Sequence, residues 1–352
     1  MITTRIMELR KRRGLMAALI VVNIGIPAVF LTIRLLAHAF DPHSYGPAGG
    51  YGTFTGIVVG VLFIFGFIVA ATLGCTAGSV DLTEGVFRHL VVTGRSRVSL
   101  YLARIPAGLA ILVPLVAIGF TIVCAVCVVA APAKVNFDGL NVNPGLTRTA
   151  FVQYAEQHPR QVFCELPYQG PLAINVPCGP RGAVVSGNPA PGSNAPAPPT
   201  EAQLRAVVVK MAEQNYVDYA KTFRSPPWSV MVETGLWIEL EAALGFVIGL
   251  GLASLMGQRT VPVVLMIVLE VILTPLLVRN AIPHLINAQR GLVGLAMARI
   301  EPSALPAVFG GFHGGGHGSE LTETTAVAII VIVAWLVGWS ALGAWRMSRR
   351  DA

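Results

Sequence analysis

The run R-K-R-R-G-L-M-A-A-L-I-V-V-N-I-G-I-P-A-V-F-L-T-I-R-L-L-A, Arg10 to Ala37, sets the class of fold. Four basic residues precede an apolar stretch from Leu15 to Ala37, longer than the ~20 residues that cross the hydrocarbon of a bilayer. A basic start before an apolar run also resembles a signal peptide. Here the apolar core is too long, and no small-residue cleavage site follows cleanly. A retained first membrane helix is expected.

Five more stretches of this kind follow: Phe54 to Thr76, Ile105 to Ala131, Trp228 to Met256, Val261 to Ala281, and Thr325 to Arg346. The composition agrees. Of 352 residues, 54% are hydrophobic and 12% charged, against ~25% charged in soluble domains. Mean hydropathy is +0.67. A cytosolic enzyme, a nucleic-acid module and a disordered chain are excluded. The expectation is an all-α membrane protein with six transmembrane helices and an N-terminal interfacial helix.

The net charge of +7 reports topology rather than a nucleic-acid partner. With the N-terminus inside, 13 of the 25 Lys and Arg fall on the inner side, and the short outer loop from His38 to Thr53 holds none. Both termini are expected in the cytoplasm, with the plasma membrane as the location. No Lys follows a Gly, so the chain has no G-x-x-x-x-G-K-[ST] phosphate cradle. If ATP is used, a partner hydrolyses it, with its Mg.

Between spans two and three the sequence reads S-V-D-L-T-E-G-V-F-R-H-L-V-V-T-G-R-S-R from Ser79 to Arg97. Asp81 as N-cap and Glu84 three residues on predict a short capped helix over 80–93. Val86, Phe87, Leu90 and Val91 lie on one side of it, and Thr93-Gly94 ends it. An interfacial helix whose Arg88, Arg95 and Arg97 meet anionic headgroups is the plainer reading.

These residues carry a resemblance. Asp81, Gly85, Leu90, Thr93 and the Ser96-Arg97 pair are similar to the first cytoplasmic loop of ABC-2-type transporter permeases. The N-terminal segment, with Ile2, Ile6 and Leu9 on one face, resembles that family's elbow helix. The ending Ala341 to Arg346 with Arg349 and Arg350 is also similar. The stretch Ile282 to Phe309, broken by Pro283, Pro302 and Pro306, resembles a partly re-entrant outer hairpin, here placed at 282–324. The resemblance implies a permease that works as a dimer with an identical or homologous second subunit and docks on an ATP-binding cassette subunit. Asp81, Glu84, Gly85, Val86, Phe87, Arg88, Leu90 and Arg97 would make that docking surface. Export is the implied direction. An ABC-coupled signalling or immunity subunit and an intramembrane enzyme are the alternatives, the latter lacking any catalytic set at one membrane depth.

The domain plan is 1–131 for the first half, 132–227 for an extracytoplasmic domain and 228–352 for the second half. A connection of about 95 residues should hold structure of its own. Leu146 to Gln157 predicts one helix. Thr200-Glu-Ala-Gln203 is a capping box opening a second helix to about Phe223, with Leu204, Val208, Met211 and Tyr219 apolar. The Pro-rich 186–199 reads as a linker. Cys164 and Cys178, the two cysteines of this oxidising side, are expected to bridge. Cys124 and Cys127 form C-x-x-C inside an apolar helix with no second ligand pair, and His313 and His317 stand alone on a glycine tract, so no metal site is expected.

Glu270 sits mid-way along span five, where a carboxylate costs ~3 kcal/mol and marks a substrate or proton path or a structural hydrogen bond. Glu233, Glu239 and Glu241 near the outer end of span four are expected at the wet interface. Glu239 is retained beside Glu270 as a path candidate. Glu239 and Glu241 point roughly 200° apart and do not form a paired site with each other.

Overall fold

The computed structural model describes residues 2–41, 45, 48–83, 96–131, 135–137, 139–142, 146–166, 200–223, 225–279, 284–302, 305 and 324–349. The described chain is helical apart from one short hairpin. It divides into two compact units, residues 1–30, 55–125 and 228–352 in one and 31–54 with 126–227 in the other.

Among the described residues, five helices are long and apolar enough to cross a membrane: α2 (Arg13–Phe40), α3 (Tyr51–Asp81), α4 (Arg97–Val129), α8 (Trp228–Met256) and α12 (Thr325–Arg349). Each matches an expected span. The sixth differs. Helix α9 is built from Thr260–Ile267, a π-helical turn Val268–Leu273 and Thr274–Arg279. Its apolar part among the described residues, Thr260–Glu270, is shorter than the other five. Ahead of α2 lies α1 (Ile2–Lys11), the expected N-terminal helix, separated by a non-helical Arg12 at φ −78°, ψ 76°. Only Leu9 of its expected apolar face is fully buried, while Ile2 is exposed.

The first unit is organised around α8. Its apolar window is 72% buried, against 17% for α12, so α8 is central and α12 peripheral. Apolar side chains gain nothing by leaving lipid for protein, so helix pairing in a membrane rests on close van der Waals contact. The sequence supplies this with small residues four apart. A Cβ on Gly74 of α3 would overlap the Phe246 carbonyl of α8, and one on Gly78 the Leu250 carbonyl. From the other side, Gly245 faces the Phe67 carbonyl and Gly249 that of Ala71. Two GxxxG faces thus meet backbone to backbone. Phe63 stacks on Trp237 at 4.7 Å beside them.

Two short helices, α10 (Ile286–Arg290) and α11 (Val293–Arg299), fill the stretch where an apolar hairpin is expected. Val293 to Met297 are all buried. Side-chain hydrogen bonds fix these helices in the unit. Gln289 Nε2 donates to the Leu277 carbonyl at 2.6 Å, Trp237 Nε1 to Met297 at 3.0 Å, and Trp335 Nε1 to Gly291 at 2.8 Å.

The second unit has its own core. Strands β1 (Val135–Phe137) and β2 (Leu140–Val142) pair antiparallel, with Phe137 opposite Leu140. This short hairpin is an addition to an otherwise helical described chain. Asp138-Gly139 between alternating apolar residues is the tight-turn signal, and Gly139 takes φ +90° with the Glu165 carboxylate where a Cβ would sit. Helices α5 (Arg148–Gln157), α6 (Pro159–Glu165) and α7 (Glu201–Phe223) complete the domain. The capping box holds in both directions: Thr200 N–H donates to Gln203 Oε1 at 3.0 Å, and Gln203 N–H to Thr200 Oγ1 at 3.4 Å. Leu204, Val208, Met211 and Tyr219 are all buried, as their spacing predicts. Tyr219 stacks on Phe151 at 4.3 Å, and its hydroxyl accepts from the Leu146 N–H at 3.0 Å.

Candidate functional site

Two groups of charged side chains stand out in the first unit. The first ties α1 to the facing ends of α3 and α4. Asp81 accepts both arms of the Arg5 guanidinium, at 2.8 and 2.5 Å, and Arg104 Nη2 at 2.5 Å. Arg104 Nη1 donates to the Gly78 carbonyl at 3.1 Å, and Arg5 also pairs with Glu8 at 2.6 Å. Asp81 and Arg104 are 2% and 3% exposed, so the charges are out of water and must compensate one another. Burial draws the pKa of Arg5 down, but the hydrogen bond and charge of Asp81, helped by Glu8, hold it above the usual guanidinium range.

This geometry corrects the reading of Asp81 as an N-cap. It lies inside the helix Ile64–Thr83, buried and held by two arginines. Both of its carboxylate oxygens are bound by guanidinium groups. Glu84, Gly85, Val86, Phe87, Arg88 and Leu90, with the rest of the helix expected over 80–93, lie outside the described residues. Arg97 opens α4 behind an N-cap made by Ser96, whose Oγ accepts from Ser99 N–H at 3.2 Å. Its Nη1 donates to the Ser348 carbonyl at 3.4 Å.

The second group is a pair of buried carboxylates. Glu270 stands in the π-helical turn of α9, 5% exposed, and Glu241 lies in α8, 1% exposed. Both Glu270 oxygens and Glu241 Oε2 are buried without a hydrogen-bond partner among the described residues. Neither glutamate is in an ion pair there. Gly294 of α11 presents its bare Cα to this place: a Cβ there would stand 3.1 Å from Glu270 Oε1 and 3.2 Å from Thr274 Oγ1. The Thr274 hydroxyl donates to the Leu269 carbonyl at 2.9 Å, which the widened π turn leaves within reach.

Glu270 is therefore where the sequence reading puts it, inside the bundle. Glu241 is buried as well, whereas Glu239 is only half-buried. The interface-solvation reading fails for Glu241 because it shares a helix face with Trp237, Ile238, Leu244 and Gly245, all turned into the unit. That apolar company at i±3 and i±4 was the available signal. The arginine pairing of Asp81 had a weaker one, three charges at the ends of apolar runs.

Cys75, Cys124 and Cys127 are free thiols inside helices. Cys164 of α6 is not among the free thiols, and Cys178 lies outside the described residues. His313 and His317 also lie outside them. Among the described residues no three His, Cys, Asp or Glu gather as metal ligands. Compared with protein-family models, curated proteins and solved structures, the chain matches none.

Proposed function

We propose that this chain is the membrane-spanning subunit of an ATP-driven transporter of the ABC-2 type, working as a dimer and coupled to a separate ATP-binding subunit. The observation that carries the reading is the Arg5–Asp81–Arg104 cluster. A loop that receives force from a partner transmits it only if its two ends are fixed. Here the last turn before residues 84–95 and the first turns after them are held to each other and to the N-terminal helix. A small cavity lined by Arg5, Glu8, Leu9, Ala77, Val80 and Arg104 lies beside the cluster.

In this reading both termini and residues 84–95 face the cytoplasm of a cell whose plasma membrane holds the protein. The 132–227 segment faces out, with Cys164 bridged to Cys178. Glu84, Gly85, Val86, Phe87, Arg88 and Leu90 dock in the ATPase, while Asp81 positions them. Transport runs outward, with Glu270 on the path. ATP and Mg are the partner's.

Purification from the native host in mild detergent tests the assignment. A stoichiometric partner with a phosphate-binding loop is expected, lost when Glu84 and Arg88 are both reversed in charge. A protein that purifies alone, unchanged by that reversal, overturns it. A second reading, a signalling subunit that relays outer binding without transport, is favoured by the independent core of the second unit. Uptake into inside-out vesicles separates the two.

A further inference from the structure

We propose that the outer face of α1 and its junction with α2 dock on an anionic phospholipid leaflet, through Met7, Arg10, Lys11 and Arg13. Helix α1 has two faces with different partners. Arg5 and Leu9, four residues apart, share the inner one: Arg5 is bound by Asp81, and Leu9 is buried beside it. Met7 is two residues from each and therefore points about 200° away. It is 54% exposed. Arg10 and Lys11, three and four residues beyond Met7, continue that outer face and are exposed as well. The chain leaves the helix at Arg12 and resumes with the exposed Arg13.

The charge at this junction is uncompensated. Glu8 is engaged by Arg5 at 2.6 Å, and the Asp81 carboxylate is filled by Arg5 and Arg104. Among the described residues no carboxylate pairs with Arg10, Lys11 or Arg13. Three cations thus stand together where a negative partner is missing. The place selects that partner. Arg13 is the first residue of the apolar helix Arg13–Phe40, and its apolar run starts at Leu15, about 3 Å further along the axis. Charges at this depth lie at the level of headgroups, with their alkyl stems and Met7 turned to the acyl boundary. An acidic protein surface would have to reach the same level. Because Arg5 and Leu9 already fix α1, little ordering remains to oppose the docking. The inference does not depend on the ATP-binding partner.

The test uses the full chain in detergent micelles doped with equal amounts of phosphatidylglycerol and phosphatidylcholine of identical acyl chains. After free lipid is removed, mass spectrometry counts each lipid retained per protein. Phosphatidylglycerol should be retained in preference, and its affinity should fall about fivefold for each of Arg10→Gln, Lys11→Gln and Arg13→Gln. The combination of Arg259→Gln, Arg346→Gln and Arg349→Gln removes equal charge from other exposed positions of the unit. It should keep the preference. The unsubstituted chain gives a reading free of folding effects: phosphatidylglycerol should raise its melting temperature more than phosphatidylcholine does. Equal losses in the two triple variants, or an unsubstituted chain that does not distinguish the two headgroups, overturns the proposal. Binding of a polyglutamate peptide without any headgroup preference would point to an acidic protein partner and also overturns it.

Discussion

Arg5 holds Asp81 with both arms of its guanidinium across 76 positions of sequence, and Arg104 closes on the same carboxylate from the other side. Three elements meet in one buried set of charges. Removing the shared anion leaves two cations facing each other. Asp81→Asn should destabilise the protein by about 3–5 kcal/mol, the cost of orphaning a buried pair. Arg5→Ala should cost about 1–3 kcal/mol, because Arg104 still satisfies Asp81. Thermal unfolding in detergent checks the ranking, and equal losses would contradict it.

The glycine contacts between α3 and α8 give a comparison at constant chemistry. Gly74→Ala and Gly249→Ala each place a methyl group against a carbonyl of the facing helix. Each should cost about 1–3 kcal/mol through forced separation of the backbones. At Gly66, on the same helix as Gly74, an added Cβ meets nothing within 4 Å. Gly66→Ala should be neutral or stabilising by up to about 1 kcal/mol from helix propensity. The three melting temperatures suffice.

Glu241 and Glu270 set stability against function. Among the described residues Glu241 Oε2 and both Glu270 oxygens lack hydrogen-bond partners, so Glu241→Gln and Glu270→Gln should leave the melting temperature unchanged or raise it, by the equivalent of about 1–3 kcal/mol. Transport in vesicles should fall at the same time. A marked loss of stability in either variant would mean that the carboxylates hold the fold together.

In the second unit, Tyr219 combines a stacked ring with a hydroxyl that accepts from Leu146 N–H. Tyr219→Phe keeps the ring and should cost about 1 kcal/mol. Phe151→Ala removes the ring beneath it and should cost about 3–5 kcal/mol. Protease sensitivity of the 135–223 region in the full chain reports both.

Long-range apolar pattern was the most legible feature of the sequence. Trp228 to Met256 is bounded as expected, because length and hydropathy alone determine a span. The Thr200/Gln203 capping box was equally legible, being a local exchange of two hydrogen bonds. What escaped depends on partners distant in sequence. Nothing near Asp81 announces Arg5. Glu241 looks like any glutamate near a helix end until its face of α8 is known. The β-hairpin was missed although Asp138-Gly139 signals it, since strands of three residues carry too little pattern to stand out. The docking loop was read from resemblance, and its charged residues await the partner test.

Backbone contact between α3 and α8 leaves no slack between them. A side-chain interface can absorb a shove by changing rotamers, whereas carbonyl against bare Cα has none to change. The two helices therefore behave as a single rigid strut, with Asp81 at one end of α3 and Glu241 partway along α8. A displacement applied beside Asp81 is therefore carried along both helices together.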